Sequence, residues 1–116
     1  MYQKTYYATD PASLAGLSND DLQSKYLISE LFADGEIRLN YLHYERFVIG
    51  GVAPTDSPLS LPTQVEPESA KGRPFLERRE MGAVNVGGST GIITLGDERH
   101  ERDQTIRNER QCRARF

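Results

Sequence analysis

Ile37-Arg38-Leu39-Asn40-Tyr41-Leu42-His43 alternates with a period of two: Ile37, Leu39, Tyr41 and His43 fall on one face, Arg38, Asn40, Leu42 and Tyr44 on the other. That alternation marks a half-buried β-strand. The tetrapeptide before it, Ala33-Asp34-Gly35-Glu36, carries the Asp-Gly pair favoured in tight hairpins. Further upstream, Leu27, Ser29 and Leu31 alternate with Tyr26, Ile28, Glu30 and Phe32, which predicts another strand. Downstream, Arg46–Val52 (RFVIGGV) predicts a third strand that ends in paired glycines.

Outward from this core the pattern stays fragmentary. Asp10-Pro11 has the form of an N-cap followed by proline at the first helical position, opening a short helix over Ala12–Gly16. Ser18 with Asp21 three residues on resembles a capping box and predicts a further turn or two through Leu22 and Gln23. Helices this short need something larger to lean on. Residues 53–74 hold five of the six prolines and are expected to form a long irregular connection. Phe75–Val86 (FLERREMGAVNV) resumes strand-like structure, with a helical turn over Leu76–Arg79 as the alternative. Gly87-Gly88-Ser89-Thr90-Gly91 is expected to be a hairpin turn and Ile92–Leu95 a strand. Many short strands, Gly/Pro turns and little helix place the chain in the mainly β class, as a β-sandwich or barrel.

Composition narrows the function classes. The 116 residues suit one domain or one piece of a larger one. No apolar run approaches the roughly 18 residues that cross a bilayer, and MYQKTYYATD has no signal-type apolar stretch, so a soluble, cytoplasmic protein with no membrane partner is expected. A single cysteine, Cys112, excludes an internal disulfide framework and a multi-cysteine zinc site. The net charge of −3 hides an asymmetry. From Gly96 to Phe116 there are six arginines, five acids and no lysine, a net of +1, whereas the preceding 95 residues carry a net of −4. The five acids cancel the field of the arginines and no aromatic residues interleave them, so nucleic acid is not an expected partner.

Few residues offer chemistry. His43 and Glu45 share a strand face, but zinc wants three or four ligands and the others are missing. His100 lies in the charged tail and reads as solvated, and Cys112 has no histidine that sequence can set beside it. The GGSTG turn is followed by a strand rather than a helix, which fails the phosphate-loop pattern. Glu77-Arg78-Arg79-Glu80 is a compact charge cluster whose paired arginines could hold a carboxylate bidentately, or form local ion pairs on a solvated face.

Two stretches carry a resemblance. RFVIGGVAP at Arg46–Pro54 and FLERREMGAVNVGG at Phe75–Gly88, in that order and separated by an irregular loop, resemble the N-terminal part of the bacterial 5-keto-4-deoxyuronate isomerases. The resemblance runs from about Tyr6 to Leu95. It implies a cupin-like β-barrel fold built from two similar halves, assembly into homohexamers, and conversion of 5-dehydro-4-deoxy-D-glucuronate to 3-deoxy-D-glycero-2,5-hexodiulosonate in uronate degradation. It also implies a zinc cofactor that polarises the carbonyl and adjacent hydroxyl while a proton moves through an enediol. An acidic sugar substrate suits Arg78 or Arg79 as its carboxylate partner. The family's metal ligands lie in the second half of its longer chains, so none carries over to a residue here.

Residues 1–95 are therefore expected to form the N-terminal cupin-like half, with a short helical segment at its start. Residues 96–116 depart from the family pattern. Their charge predicts a non-native tail, disordered or helical, that forms no further strand and leaves the Leu95 strand with an open edge. A truncated or frame-shifted, non-catalytic remnant of the isomerase is the alternative to an active enzyme.

Overall fold

The computed structural model describes residues 1–96, 98–102, 106–108 and 114–116, and side chains through Gly96 together with those of Arg99 and Phe116. Two compact units emerge, Tyr2–Ala53 and Pro54–Phe116. The division falls at the start of the proline-rich stretch.

The first unit is a three-stranded sheet with a helix. Strands β1 (Lys4–Tyr6), β2 (Glu36–Leu42) and β3 (Phe47–Ala53) lie in the order β1-β2-β3. The stretch Ile37–His43 is a strand through Leu42, as its alternation predicts, and pairs antiparallel with β3 from Glu36↔Ala53 to Leu42↔Phe47. The turn that joins them is His43–Arg46, closed by the Arg46 N–H donating to the His43 carbonyl at 3.3 Å, with Arg46 at φ 51°. Asp34-Gly35 does make a tight turn, with Gly35 at φ 73°, but it leads β2 into register with Ala53. The strand expected at Tyr26–Phe32 is absent. Tyr26 closes a helix, and Glu30 takes φ 52°, a left-handed conformation outside the β region that interrupts a regular strand.

What replaces that strand explains the paired glycines. A Cβ on Gly51 would sit 2.1 Å from the Leu31 carbonyl oxygen and 2.9 Å from Cδ1 of Phe32. The backbone after the helix therefore crosses β3 at a distance only glycine permits. Strand β1, which shows no period of its own, runs parallel to β2 with Lys4↔Asn40 and Tyr6↔Leu42. The buried side chains of this unit are Tyr6, Leu39 and Asn40.

The N-terminal caps form as read. The Asp10 carboxylate accepts from the Ala12 N–H at 3.0 Å and opens a 3-10 helix over Pro11–Gly16. Ser18 and Asp21 build the reciprocal capping box of α1 (Asn19–Tyr26), each side chain accepting the other's backbone N–H at 3.2 Å. No residue of α1 is buried. It is held instead by polar ties: the Tyr6 hydroxyl donates to the Leu27 carbonyl at 2.8 Å, Lys4 Nζ donates to the Ser24 carbonyl, and the hydroxyls of Thr9 and Tyr26 bond each other.

These bonds to Ser18 hold the Asp21 carboxyl below the usual carboxylate range, with the side-chain bond as the larger cause and Lys25 adding a smaller one. A carboxyl whose pKa is depressed on folding stabilises the fold above its unfolded pKa, and that stabilisation fades as pH falls through its folded value. Carbon chemical shifts of residues 19–26 are therefore expected to lose helical character as the solution is acidified below the carboxylate range. Asp21→Asn should weaken the helix at neutral pH and remove that pH dependence. Helical shifts in the parent chain that stay constant into strong acid would contradict the assignment.

The second unit holds two small open sheets, β4 (Met81–Ala83) with β7 (Ile106–Asn108), and β6 (Glu98–Arg102), β5 (Gly91–Leu95) and β8 (Ala114–Arg115) in the order β6-β5-β8. Its buried apolar residues are Phe75, Leu76, Ile93 and Leu95, the last only 1% exposed. The proline-rich stretch is irregular, as expected, and is drawn together by Gln64. That residue is 5% exposed, and its side-chain amide donates to the Pro74 carbonyl at 2.8 Å while its backbone bonds Arg73 and Gly72. Of the two expectations for Phe75–Val86, the strand forms only over Met81–Ala83, and Leu76–Arg79 makes a hydrogen-bonded turn rather than a helical one. Between Ile37 and Leu95 the sole helical turn is the 3-10 segment Glu68–Ala70.

Three expectations need correction here. The chain is mainly β, but among the described residues its strands form open sheets and no closed barrel. The GGSTG turn joins no hairpin, because β4 pairs with β7 and β5 with β6 and β8. Nor does the chain stop making strands after Leu95: Glu98–Arg102 pairs antiparallel with β5, Gly91↔Arg102 to Leu95↔Glu98, and β8 covers Thr94 and Leu95 on the other side, so β5 is the central strand. A ladder is made by backbone groups, and a face open to water accepts charged residues. Charge in the sequence therefore did not forbid pairing. The remaining tail positions, 97, 103–105 and 109–113, lie outside the described residues, and Cys112 is among them.

Candidate functional site

The arginine pair at 78 and 79 splits into two environments. The turn over Phe75–Arg79 is set by the Glu77 N–H bonding the Pro74 carbonyl and the Arg79 N–H bonding the Leu76 carbonyl, while Phe75 and Leu76 go into the core. Arg79 is half-buried: Nη1 donates to the Phe75 carbonyl at 2.8 Å and the guanidinium sits 4.6 Å above the Phe75 ring. Arg78 is exposed. The ion pairs expected within the cluster do not form; Glu77 instead meets Arg73 at 3.5 Å. Arg79 thus serves its own turn, and Arg78 points its charge to solvent, where an acidic ligand could reach it.

His43 sits in an aromatic row. Its ring lies 5.2 Å from that of Tyr7 and 5.9 Å, edge on, from that of Tyr41, which stacks on Tyr2 at 5.3 Å. Glu45 lies in the exposed turn after it. The His43/Glu45 pairing gains no further ligand: among the described residues, no three His, Cys, Asp or Glu come together as a metal would need. His100 pairs through its backbone with Ile93, and its side chain lies outside the described residues. Zinc, which requires at least three protein ligands, does not fit the residues described here.

A cleft that sequence reasoning missed opens in the first unit. It has a volume of about 460 Å³ and is lined by Lys4, Asp20, Gln23, Glu30, Arg38 and Asn40 among others. Arg38 Nε bonds Glu36 at 2.9 Å, and Nη1 bonds the Glu30 carbonyl at 2.9 Å and lies 3.7 Å from its carboxylate. Lys4 is turned to the Ser24 carbonyl and lies over the Tyr6 ring. The cleft's two cations are therefore engaged within the fold and are not presented together to an anion. No sequence period announces this group, because its members come from β1, α1, the segment after it and β2. No helix among the described residues is long and apolar enough to cross a membrane.

No family model matches the chain. Its curated relatives are consistent with one another. It is 43% identical over 95 residues to a 4-deoxy-L-threo-5-hexosulose-uronate ketol-isomerase of Kineococcus radiotolerans, covering 82% of the chain and 33% of the relative. A protein of the same name from Oceanobacillus iheyensis is 40% identical over 97 residues, 84% of the chain and 34% of the relative. A third, 4-deoxy-L-threo-5-hexosulose-uronate ketol-isomerase 2 of Rhizobium meliloti, is 46% identical over 91 residues, 78% of the chain and 31% of the relative. The chain spans about a third of the length of the curated relatives it matches.

Proposed function

Because this chain belongs, over the third of them that it spans, to the family of 4-deoxy-L-threo-5-hexosulose-uronate ketol-isomerases, we propose that it supplies the N-terminal part of such an enzyme. The reaction would convert 5-dehydro-4-deoxy-D-glucuronate to 3-deoxy-D-glycero-2,5-hexodiulosonate. A proton leaves the carbon beside the aldehyde, an enediol forms, and a proton returns to the former aldehyde carbon; no external oxidant or reductant is needed. The observation that carries the reading is identity of 40–46% running through 91–97 residues of three such proteins.

In this reading the open sheets belong to a cupin-like barrel that the rest of the enzyme completes. The assembly is a cytoplasmic homohexamer acting on a small acidic sugar, with neither nucleic acid nor membrane as partner. Arg78, exposed and without a side-chain partner among the described residues, is better placed than Arg79 to meet the substrate carboxylate. Zinc would be held by residues outside this chain, and no step of the reaction is assigned to a residue described here. By itself the chain is then non-catalytic, which joins the two readings of the sequence.

A chimaera tests the assignment. Residues 1–95 are put in place of the matching third of the Kineococcus radiotolerans protein, and turnover of the 5-keto uronate is followed. Turnover within about tenfold of the parent is expected, a loss of roughly 1.4 kcal/mol or less in transition-state stabilisation. A chimaera that folds, retains the parent's zinc and is inactive would contradict it.

A further inference from the structure

We propose that β3 is a self-recognition edge, through which two copies of this chain pair antiparallel about a twofold axis at Gly50. The inference rests on backbone geometry in the first unit and concerns the 116-residue chain by itself; in the complete enzyme of the reading above, further strands would finish these sheets. Among the described residues, β3 ends the order β1-β2-β3 and no strand covers its outer side. It is seven residues long, and Phe47-Val48-Ile49-Gly50-Gly51-Val52-Ala53 contains no charge and no proline. Proteins normally blunt such an edge with lysine, proline or brevity. The other described edges are blunted in those ways: β1 has three residues including Lys4, β4 and β7 have three each, β8 has two, and β6 reads Glu-Arg-His-Glu-Arg. Among the described edges, only β3 is long, uncharged and without a strand beside it.

The parity of the ladder says which groups point outward. The Gln3 N–H donates to the Leu39 carbonyl at 2.7 Å and the His43 N–H to the Tyr6 carbonyl at 2.8 Å. Odd-numbered residues of β2 thus aim their backbone groups at β1, and even-numbered ones aim theirs at β3. The register sets those even residues opposite Phe47, Ile49, Gly51 and Ala53. Val48, Gly50 and Val52 are left with N–H and C=O groups directed away from the sheet.

That spacing is self-complementary. In an antiparallel pair centred on Gly50, Gly50 faces Gly50 of the second copy and Val48 faces Val52, each a hydrogen-bonded pair that exchanges both of its bonds. At the ends, Arg46 faces Pro54 and Phe47 faces Ala53, so no like charges oppose one another. Phe47 is 58% exposed and would lose much of that exposure beside the second copy. The contact is isologous, as a closed dimer requires.

Light scattering on the purified 116-residue chain across a concentration series, with residue-resolved amide exchange, tests this. The mass is expected to rise toward twice 13.1 kDa. The amides of Val48, Gly50 and Val52 should gain protection with concentration, while those of Ile49 and Gly51 are protected throughout. Val48→Pro removes one outward donor at a position an edge strand tolerates and should return the mass to one chain with the circular dichroism unchanged; should it unfold, Val48→Lys takes its place. A monomer at all concentrations overturns the proposal. So does an oligomer whose three amides stay unprotected, or one that persists in the folded edge variant.

Discussion

Gly51→Ala is expected to destabilise the chain by about 1–3 kcal/mol, a fall of roughly 5–20 °C in Tm. The added methyl would stand 2.1 Å from the carbonyl oxygen and 2.8 Å from the carbonyl carbon of Leu31, both backbone atoms, with Phe32 Cδ1 a further 2.9 Å contact. Only movement of the segment that crosses β3 could relieve it, and that segment is fixed by the Arg38 bond to the Glu30 carbonyl and the Tyr6 bond to the Leu27 carbonyl. Two other glycines supply a graded comparison. At Gly50 the nearest atom is Cδ2 of Leu39 at 2.5 Å, the end of a side chain that can turn, with the Arg38 carbonyl at 3.0 Å. At Gly88 nothing lies within 4 Å. Thermal denaturation of the three alanine variants should therefore rank the losses Gly51 largest, Gly50 intermediate and Gly88 near zero. A Gly51→Ala chain as stable as the parent would mean that the crossing at Leu31 is wrong.

Much of the fold was legible where the signal is local. The Ser18/Asp21 box, the Asp10-Pro11 start and the Ile37–Leu42 alternation each concern residues within a few positions, and each took the form its chemistry favours. The failures share a different cause. Leu27–Phe32 alternates in sequence, but one left-handed residue, Glu30, breaks it, and a count of apolar positions does not register φ. Strand β1 owes its existence to β2, more than thirty residues away, and three residues show no period. The strand at the charge-rich Glu98–Arg102 is not announced by its sequence, because alternation reports which face is buried, whereas pairing depends on backbone groups. The paired glycines are plain in the sequence, but their reason, a crossing chain, appears only in three dimensions.

The candidate site was less legible than the fold. Arg78 and Arg79 are adjacent in sequence and indistinguishable there, yet the structure engages Arg79 with Phe75 and leaves Arg78 to solvent. His43 gave no sign of its aromatic neighbours, because Tyr7 reaches it through the parallel β1–β2 pairing and its N–H is held by the Tyr6 carbonyl. The polar cleft assembles from four separate segments, which no motif search along a chain would join.

The largest effect expected concerns the chemistry itself. The chain has two histidines and one cysteine, and His43, the one with a described side chain, is surrounded by tyrosines rather than by further ligands. A catalytic zinc needs three protein ligands and a structural one four. Among the described residues, the metal-assisted proton transfer proposed above would thus have no centre. Elemental analysis of the purified chain after equilibration with zinc and removal of excess, alongside an assay with the 5-keto uronate, decides the point most directly. The account predicts far less than one zinc per chain and no turnover above the uncatalysed rate. One tightly held zinc per chain together with turnover would contradict it.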